Sequence, residues 1–362
     1  MYNKKCDDPN YYYLHFEVSK LEKVLENIKR IFREIGYNTC MNFQKQDDKV
    51  ENKIGINFFL SSDSNTVKLS ENLQYPTTVN LTAGVYKNKT HLSFFIGVAM
   101  GIITEIQRFD SDKYITVYKK NVNDSFYEKY YKQVDLENVS YITGSDFNFK
   151  SPMLVDPYFL SSSSEATYNI TLDFYNDYQY FFKYTRNFQF NDYKHMYNYH
   201  CKTEEQTDCE NGGFKPNKKY YGDKCYCPEY FTGKKCDLLL ENTPSCGVKK
   251  QNYDAHSSES DLEFTHVQGK CYYSITSKSN GNVSVVIKEL KFEKNDRSNG
   301  NYVEFLLHDD KGAAGLKLCK DRSEIKLPSL SKKVLIVLFG MGDKFSLTLK
   351  YQAVTETSLE TV

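Results

Sequence analysis

Tryptophan is absent from the 362-residue chain, and so is any net charge: 47 lysines and arginines balance 47 aspartates and glutamates, with the two signs interleaved. That balance removes the electrostatic footprint required for nucleic acid or an anionic membrane surface, so neither is expected as a partner. No apolar run is long enough to span a bilayer. The longest, Leu92 to Ile103, reaches about half of the 20 or so residues a membrane helix needs and reads as a buried helix. Residues 1 to 10 hold no apolar h-region, so no signal peptide is visible in this chain. Histidines are few, and none of the seven (His15, His91, His195, His200, His256, His266 and His308) stands four residues from another. His195 and His200, five apart, would lie roughly 140° apart around a helix, which argues against the usual zinc-ligand geometry.

What is present points to an oxidising compartment. Ten cysteines, six of them between Cys201 and Cys246, suit disulfides formed outside the cytosol. Six N-x-S/T sequons, at Asn80, Asn88, Asn123, Asn138, Asn169 and Asn282, mark expected glycosylation sites and agree with a secreted, extracellular protein. Length allows two or three domains. Apolar residues at Val18, Leu21, Leu25, Ile28, Ile31, Phe32 and Ile35 predict a helix over 18–35 that stops at Gly36. Short strands at Ile54–Leu60 and Thr77–Leu81, a buried helix over Leu92–Gln107 and a last helix ending near Cys201 make residues 1–201 a mixed α/β domain. Between Cys201 and Cys236 hydrophobic periodicity vanishes, so that segment depends on disulfides rather than a core of its own. Alternating runs at Ser284–Ile287, Tyr302–Leu307, Val334–Phe339 and Phe345–Tyr351 predict an all-β sandwich for the last hundred residues.

The stretch Phe94 to Tyr114, F-F-I-G-V-A-M-G-I-I-T-E-I-Q-R-F-D-S-D-K-Y, resembles without a gap the zinc signature of the astacin metalloproteases, H-E-x-x-H-x-x-G-x-x-H-E-x-x-R-x-D-R-D-x-Y. Such a signature works because histidines at i and i+4 share a helix face, a glutamate beside the first is the general base, and a glycine turn brings in the third ligand. Gly101, Glu105, Arg108, Asp110, Asp112 and Tyr114 fall on framework positions, but Phe94, Val98 and Thr104 stand where the three ligands belong and Phe95 where the base belongs. Phe147 to Val155 is similar to the family's Met-turn, matching at Ser151 and Met153, with Val155 in place of the metal-contacting tyrosine. Asn38 to Phe43 and Asp192 to Cys201 are similar to two further family stretches, in family order. The resemblance implies an α+β metzincin-like domain over 1–201, in which Glu105 would receive the N-terminus of the mature enzyme.

Downstream, Cys209-Glu210-Asn211-Gly212-Gly213-Phe214, Cys225-Tyr226-Cys227-Pro228 and Gly233-Lys234-Lys235-Cys236 resemble a nematode-type EGF-like module over 202–238. Cys246 and Cys271 have the spacing of a first CUB disulfide, which implies a CUB-like β-sandwich over 246–353; Asn301 stands near a calcium-binding aspartate of some CUB domains, so no calcium is expected there. These frames imply the disulfides Cys40–Cys201, Cys209–Cys225, Cys227–Cys236 and Cys246–Cys271. Cys6 and Cys319 are left over, to pair with each other, stay reduced or bridge to another chain. With ligands, base and tyrosine all replaced, no zinc or other cofactor is expected. The expected function is that of a catalytically inactive astacin homologue, a pseudoprotease acting as an extracellular binding or decoy protein toward proteins or glycans; the alternative is an active zinc metalloendopeptidase. The apolar replacements predict a closed, dry site in which Phe94, Val98 and Val155 converge.

Overall fold

The computed structural model describes residues 9–15, 18–72, 74–172, 175–176, 178–182, 184–201, 208–216, 218–246, 250–292, 301–340 and 345–355. Strands β1 (Pro9–His15), β2 (Asn42–Gln46), β3 (Gly55–Ser61), β4 (Thr66–Lys68) and β5 (Thr77–Thr82) form a sheet in the order β2-β1-β3-β5-β4. All neighbours run parallel except β4, an antiparallel edge strand. Helix α1 (Val18–Asn38) is the crossover that the parallel pair β1 and β2 requires. It buries Val24, Ile28, Ile31, Phe32 and Ile35 along one stripe. The Phe32 ring meets Phe43, Tyr12 and Phe58 of three different strands at 4.5, 4.7 and 6.1 Å. The helix runs past Gly36 because its stop lies further on, where the Thr39 hydroxyl takes the Ile35 carbonyl at 2.6 Å.

Next come α2 (Ala83–Lys87) and α3 (Lys89–Ala99), the latter ending well short of the expected Gln107. Gly101, at φ +80°, turns the chain out of the helix, and a short 3-10 turn follows at Glu105–Gln107. Strands β6 (Ile115–Val117) and β7 (Tyr168–Ile170) pair antiparallel around α4 (Asp124–Tyr130). After α5 (Tyr178–Phe181), α6 (Phe190–His200) closes this part of the chain. Among the described residues no helix is long and apolar enough to cross a membrane.

The chain divides into two compact units. One comprises the residues up to Asp173 with Gln179–Cys209 and Gly213–Tyr226; the other comprises Phe174–Tyr178, Glu210–Gly212 and the residues from Cys227 on. In the stretch after Cys201, α7 (Lys218–Tyr221) belongs to the first unit, and the short pair β8 (Phe231–Thr232) and β9 (Leu238–Leu239) to the second. In the first unit Phe214 packs on Phe190 and Tyr197 of α6, and the Tyr221 hydroxyl donates to Asn38 at 2.9 Å.

The second unit contains β10 (Asn252–Ala255), β11 (Ser260–Thr265), β12 (Lys270–Ser277), β13 (Asn282–Lys291), β14 (Tyr302–Leu306), β15 (Leu316–Leu318), β16 (Arg322–Leu327), β17 (Lys333–Phe339) and β18 (Ser346–Val354). They form two sheets, β10-β12-β17-β14-β15 and β11-β18-β13-β16. Alternation along β18 buries every second side chain, and Phe264 of one sheet meets Tyr273 of the other at 4.6 Å inside the core. Among the described residues four disulfides are present, Cys40–Cys201, Cys209–Cys225, Cys227–Cys236 and Cys246–Cys271, the same four pairs that the family frames imply. Cys319 is in none of them, and Cys6 lies outside the described residues.

Candidate functional site

Helix α3 starts at Asn88, whose side chain accepts the His91 N–H at 3.1 Å, and its strongly apolar sequence leaves it buried nearly all round. Phe94 and Phe95 are buried, edge to face with each other at 5.1 Å. Tyr130, the last residue of α4, completes the cluster, 5.5 Å from the Phe94 ring and 6.3 Å from that of Phe95. Val155 is buried as well, its carbonyl taken by the Tyr168 hydroxyl at 2.5 Å, while Val98 keeps part of its surface exposed. The expected closure is therefore uneven: the first ligand position and the base position are sealed, the second less so.

Thr104, at the third ligand position, is buried and fully engaged. Its hydroxyl accepts the Gln107 N–H at 3.1 Å and donates to the Tyr130 carbonyl at 2.7 Å, and the Gln107 side chain accepts the Thr104 N–H in return. That reciprocal cap fixes the start of the 3-10 turn. The donor set does not fit zinc: Phe94 and Val98 have no donor atom, the Thr104 hydroxyl is committed to the main chain, and neither Phe95 nor Val155 can move a proton. Asp208, Cys209 and Cys225 bring potential ligand atoms together elsewhere, but the two sulfurs are bonded to each other.

The framework positions form a buried polar cluster. Arg108 binds Asp110 through two bonds, at 2.9 and 3.0 Å, and donates to the Ser145 carbonyl at 2.7 Å. Burial lowers the Arg108 pKa, but Glu105 and Asp110 outweigh it and raise the value. Glu105, 3.8 Å from Arg108, accepts the Asn148 N–H at 3.1 Å. Burial pushes its carboxyl up to about 8 against the pull of Arg108. The N-terminal residues expected to reach Glu105 lie outside the described residues. Ser151 donates to Asp192 at 2.5 Å and accepts the Met153 N–H, while burial pushes Asp192 up to about 7. Met153 sits against α3 where Gly97 has no side chain; a Cβ there would strike its sulfur. Tyr114 is buried and stacks on Phe147 at 4.8 Å, whereas Asp112 is exposed.

Three members of this cluster carry no motif signal. Ser145 and His195 meet at 2.7 Å, and burial holds the His195 pKa well below the usual imidazole range, so the ring is a neutral core group. Arg186 is buried too, donating to the Ser151 carbonyl at 2.9 Å, with its plane over the Phe182 ring. Of the sequon asparagines, Asn88, Asn123, Asn138 and Asn169 are exposed and Asn80 and Asn282 half-buried.

The family model for the astacin peptidases matches residues 4–201. Two proteins of Caenorhabditis elegans are similar to the chain. Zinc metalloproteinase nas-34 is 26% identical over 275 residues, covering 72% of this chain and 42% of its own length. Zinc metalloproteinase nas-31 is 25% identical over 283 residues, covering 72% and 43%. The chain therefore spans less than half the length of these curated relatives. Among solved structures, high choriolytic enzyme 1, a hatching enzyme zinc-protease from Oryzias latipes, aligns at 14% identity with a TM-score of 0.41, covering 54% of this chain and 90% of that one.

Proposed function

The chain belongs to the astacin family of peptidases through residues 4–201, and from that premise we propose that it is a secreted pseudoprotease that binds extracellular proteins or glycans instead of cleaving them. One observation carries the reading: every position that would hold zinc, activate water or steady the transition state presents carbon or a committed hydroxyl. A zinc peptidase site uses about three protein ligands to lower the pKa of a bound water, and a carboxylate to move its proton. Phe94, Val98 and Thr104 supply no such ligand set, Phe95 no carboxylate and Val155 no phenol.

The C-terminal part supports binding rather than chemistry. In this reading residues 202–238 are an EGF-like module and residues 246–353 a CUB-like sandwich, types of module that commonly mediate contacts between extracellular proteins. Four disulfides and six sequons suit an oxidising, extracellular setting. Competition with active relatives for substrates or inhibitors is one way such a protein would act as a decoy. Elemental analysis of secreted protein prepared without chelator, paired with a peptide-cleavage assay, tests the proposal. The expected result is no zinc at a peptidase-type site and no cleavage. Near-stoichiometric zinc together with chelator-sensitive cleavage would establish the other reading, an active metalloendopeptidase.

A further inference from the structure

Tyr130 touches three of the four degenerate positions on the signature stretch. Its ring lies against Phe94 and Phe95, its carbonyl accepts the Thr104 hydroxyl, and Phe126 of the same helix flanks it at 6.0 Å. The residue is 3% exposed. At the far end of the ring, the Val67 backbone N–H on edge strand β4 lies close enough to the hydroxyl to ease its ionisation, although burial dominates and pushes the phenol up to about 12. One residue thus links three elements, its main chain tied to Thr104, its ring against Phe94 and Phe95, and its hydroxyl near β4. Because a buried phenol needs apolar walls and a polar partner for its hydroxyl, the surroundings of Tyr130 are those of a binding site for that group.

We infer that the vacated cleft is a site for a para-substituted phenol, which the chain fills with its own Tyr130. Phe94 and Phe95 form the walls, Thr104 ties down the main chain of the plug, and β4 supplies the polar contact. The edge strand gains by this arrangement, since a ring set against Val67 stands in the way of another chain pairing there. Removing the side chain leaves a cavity lined by aromatic carbon, and apolar cavities of this kind stay dry and take up small aromatic molecules. The idea rests on the reading that Phe94, Phe95 and Thr104 perform no zinc chemistry. Metal analysis tests that reading, whereas the experiment below tests the plug alone, so the two can fail separately.

The experiment is thermal unfolding of the full chain and of Tyr130→Gly, each with and without millimolar 4-methylphenol or toluene. The variant is expected to melt roughly 10 °C lower than the unaltered chain. Saturating 4-methylphenol should recover about half of that loss by binding the folded state, toluene less, and neither should shift the unaltered chain. No recovery with 4-methylphenol, or an equal shift in the unaltered chain, overturns the inference. Should Tyr130→Gly not fold, Tyr130→Phe keeps the ring and removes the hydroxyl. Hydrogen exchange at the Val67 amide should then quicken by about tenfold, and an unchanged rate would equally overturn it.

Discussion

Phe94 and Phe95 on α3 are packed against rings, whereas Arg108, further along the same stretch, is packed against oxygens. Both regions descend from one signature, and they differ in what a substitution leaves behind. A metal ligand replaced by an apolar side chain leaves no orphan once the metal is dispensable, and the new surface is stabilised by burial. A member of the Arg108 cluster cannot be exchanged so freely, because its partner would remain buried with an unmet charge. The positions on α3 can therefore change while the Arg108 framework stays intact, and the two can be separated by experiment.

The largest effect should come from the frame that encloses both regions. Opening Cys40–Cys201 by a double serine substitution releases a loop closed across 161 positions, and in the chain-entropy model this costs about 5 kcal/mol. Denaturant unfolding of the variant should show it, and a loss below about 1 kcal/mol would mean that the bond contributes little to the frame. Arg108→Met comes next. It strips Asp110 of two bonds in a buried setting and should cost about 3–5 kcal/mol. A variant as stable as the parent would erase the contrast between the two regions.

A graded effect follows from pH. Glu105 and Asp192 have folded values raised to about 8 and about 7, above the ordinary carboxylate range. The folded state therefore binds their protons more tightly than the unfolded state does. The stability they contribute is fully present below about pH 4 and is lost as pH rises through about 7 and then about 8. Melting temperatures recorded from pH 5 to 9 should fall, and Glu105→Gln should flatten the upper part of that slope; a curve that rises instead would contradict the burial argument. The smallest effect is expected at Thr104→Val, which removes the cap and the tie to Tyr130 while adding no clash, a loss of about 1–2 kcal/mol.

The sequence made the framework legible because the signature is local: Gly101, Glu105, Arg108 and Asp110 are read off a single stretch, and the four cysteine pairs follow from family frames around it. Less accessible were features that depend on distant residues. The end of α3 at Ala99 was masked by an apolar run continuing to Ile103, although Gly101 was in plain view as the turn. Tyr130 over Phe94, and His195 beside Ser145, join residues 36 and 50 positions apart, and neither tyrosine nor a lone histidine announces such a neighbour. Even Gly36, correctly placed near the helix end, was overruled by a threonine hydroxyl three residues on.

The aromatic seam between α6 and residues 213–226 bears on where this chain can be cut. A fragment ending at Cys201, the limit of the family match, would strip Phe214 and Tyr226 from Phe190 and remove the Tyr221 phenol from Asn38. Large ring faces would be left open to water on an otherwise complete fragment, and contiguous apolar patches of that sort promote self-association. Carrying the fragment on through Tyr226 keeps those rings covered and retains the Cys209–Cys225 bond whole. A fragment that keeps these faces covered therefore ends about two dozen residues beyond the family boundary.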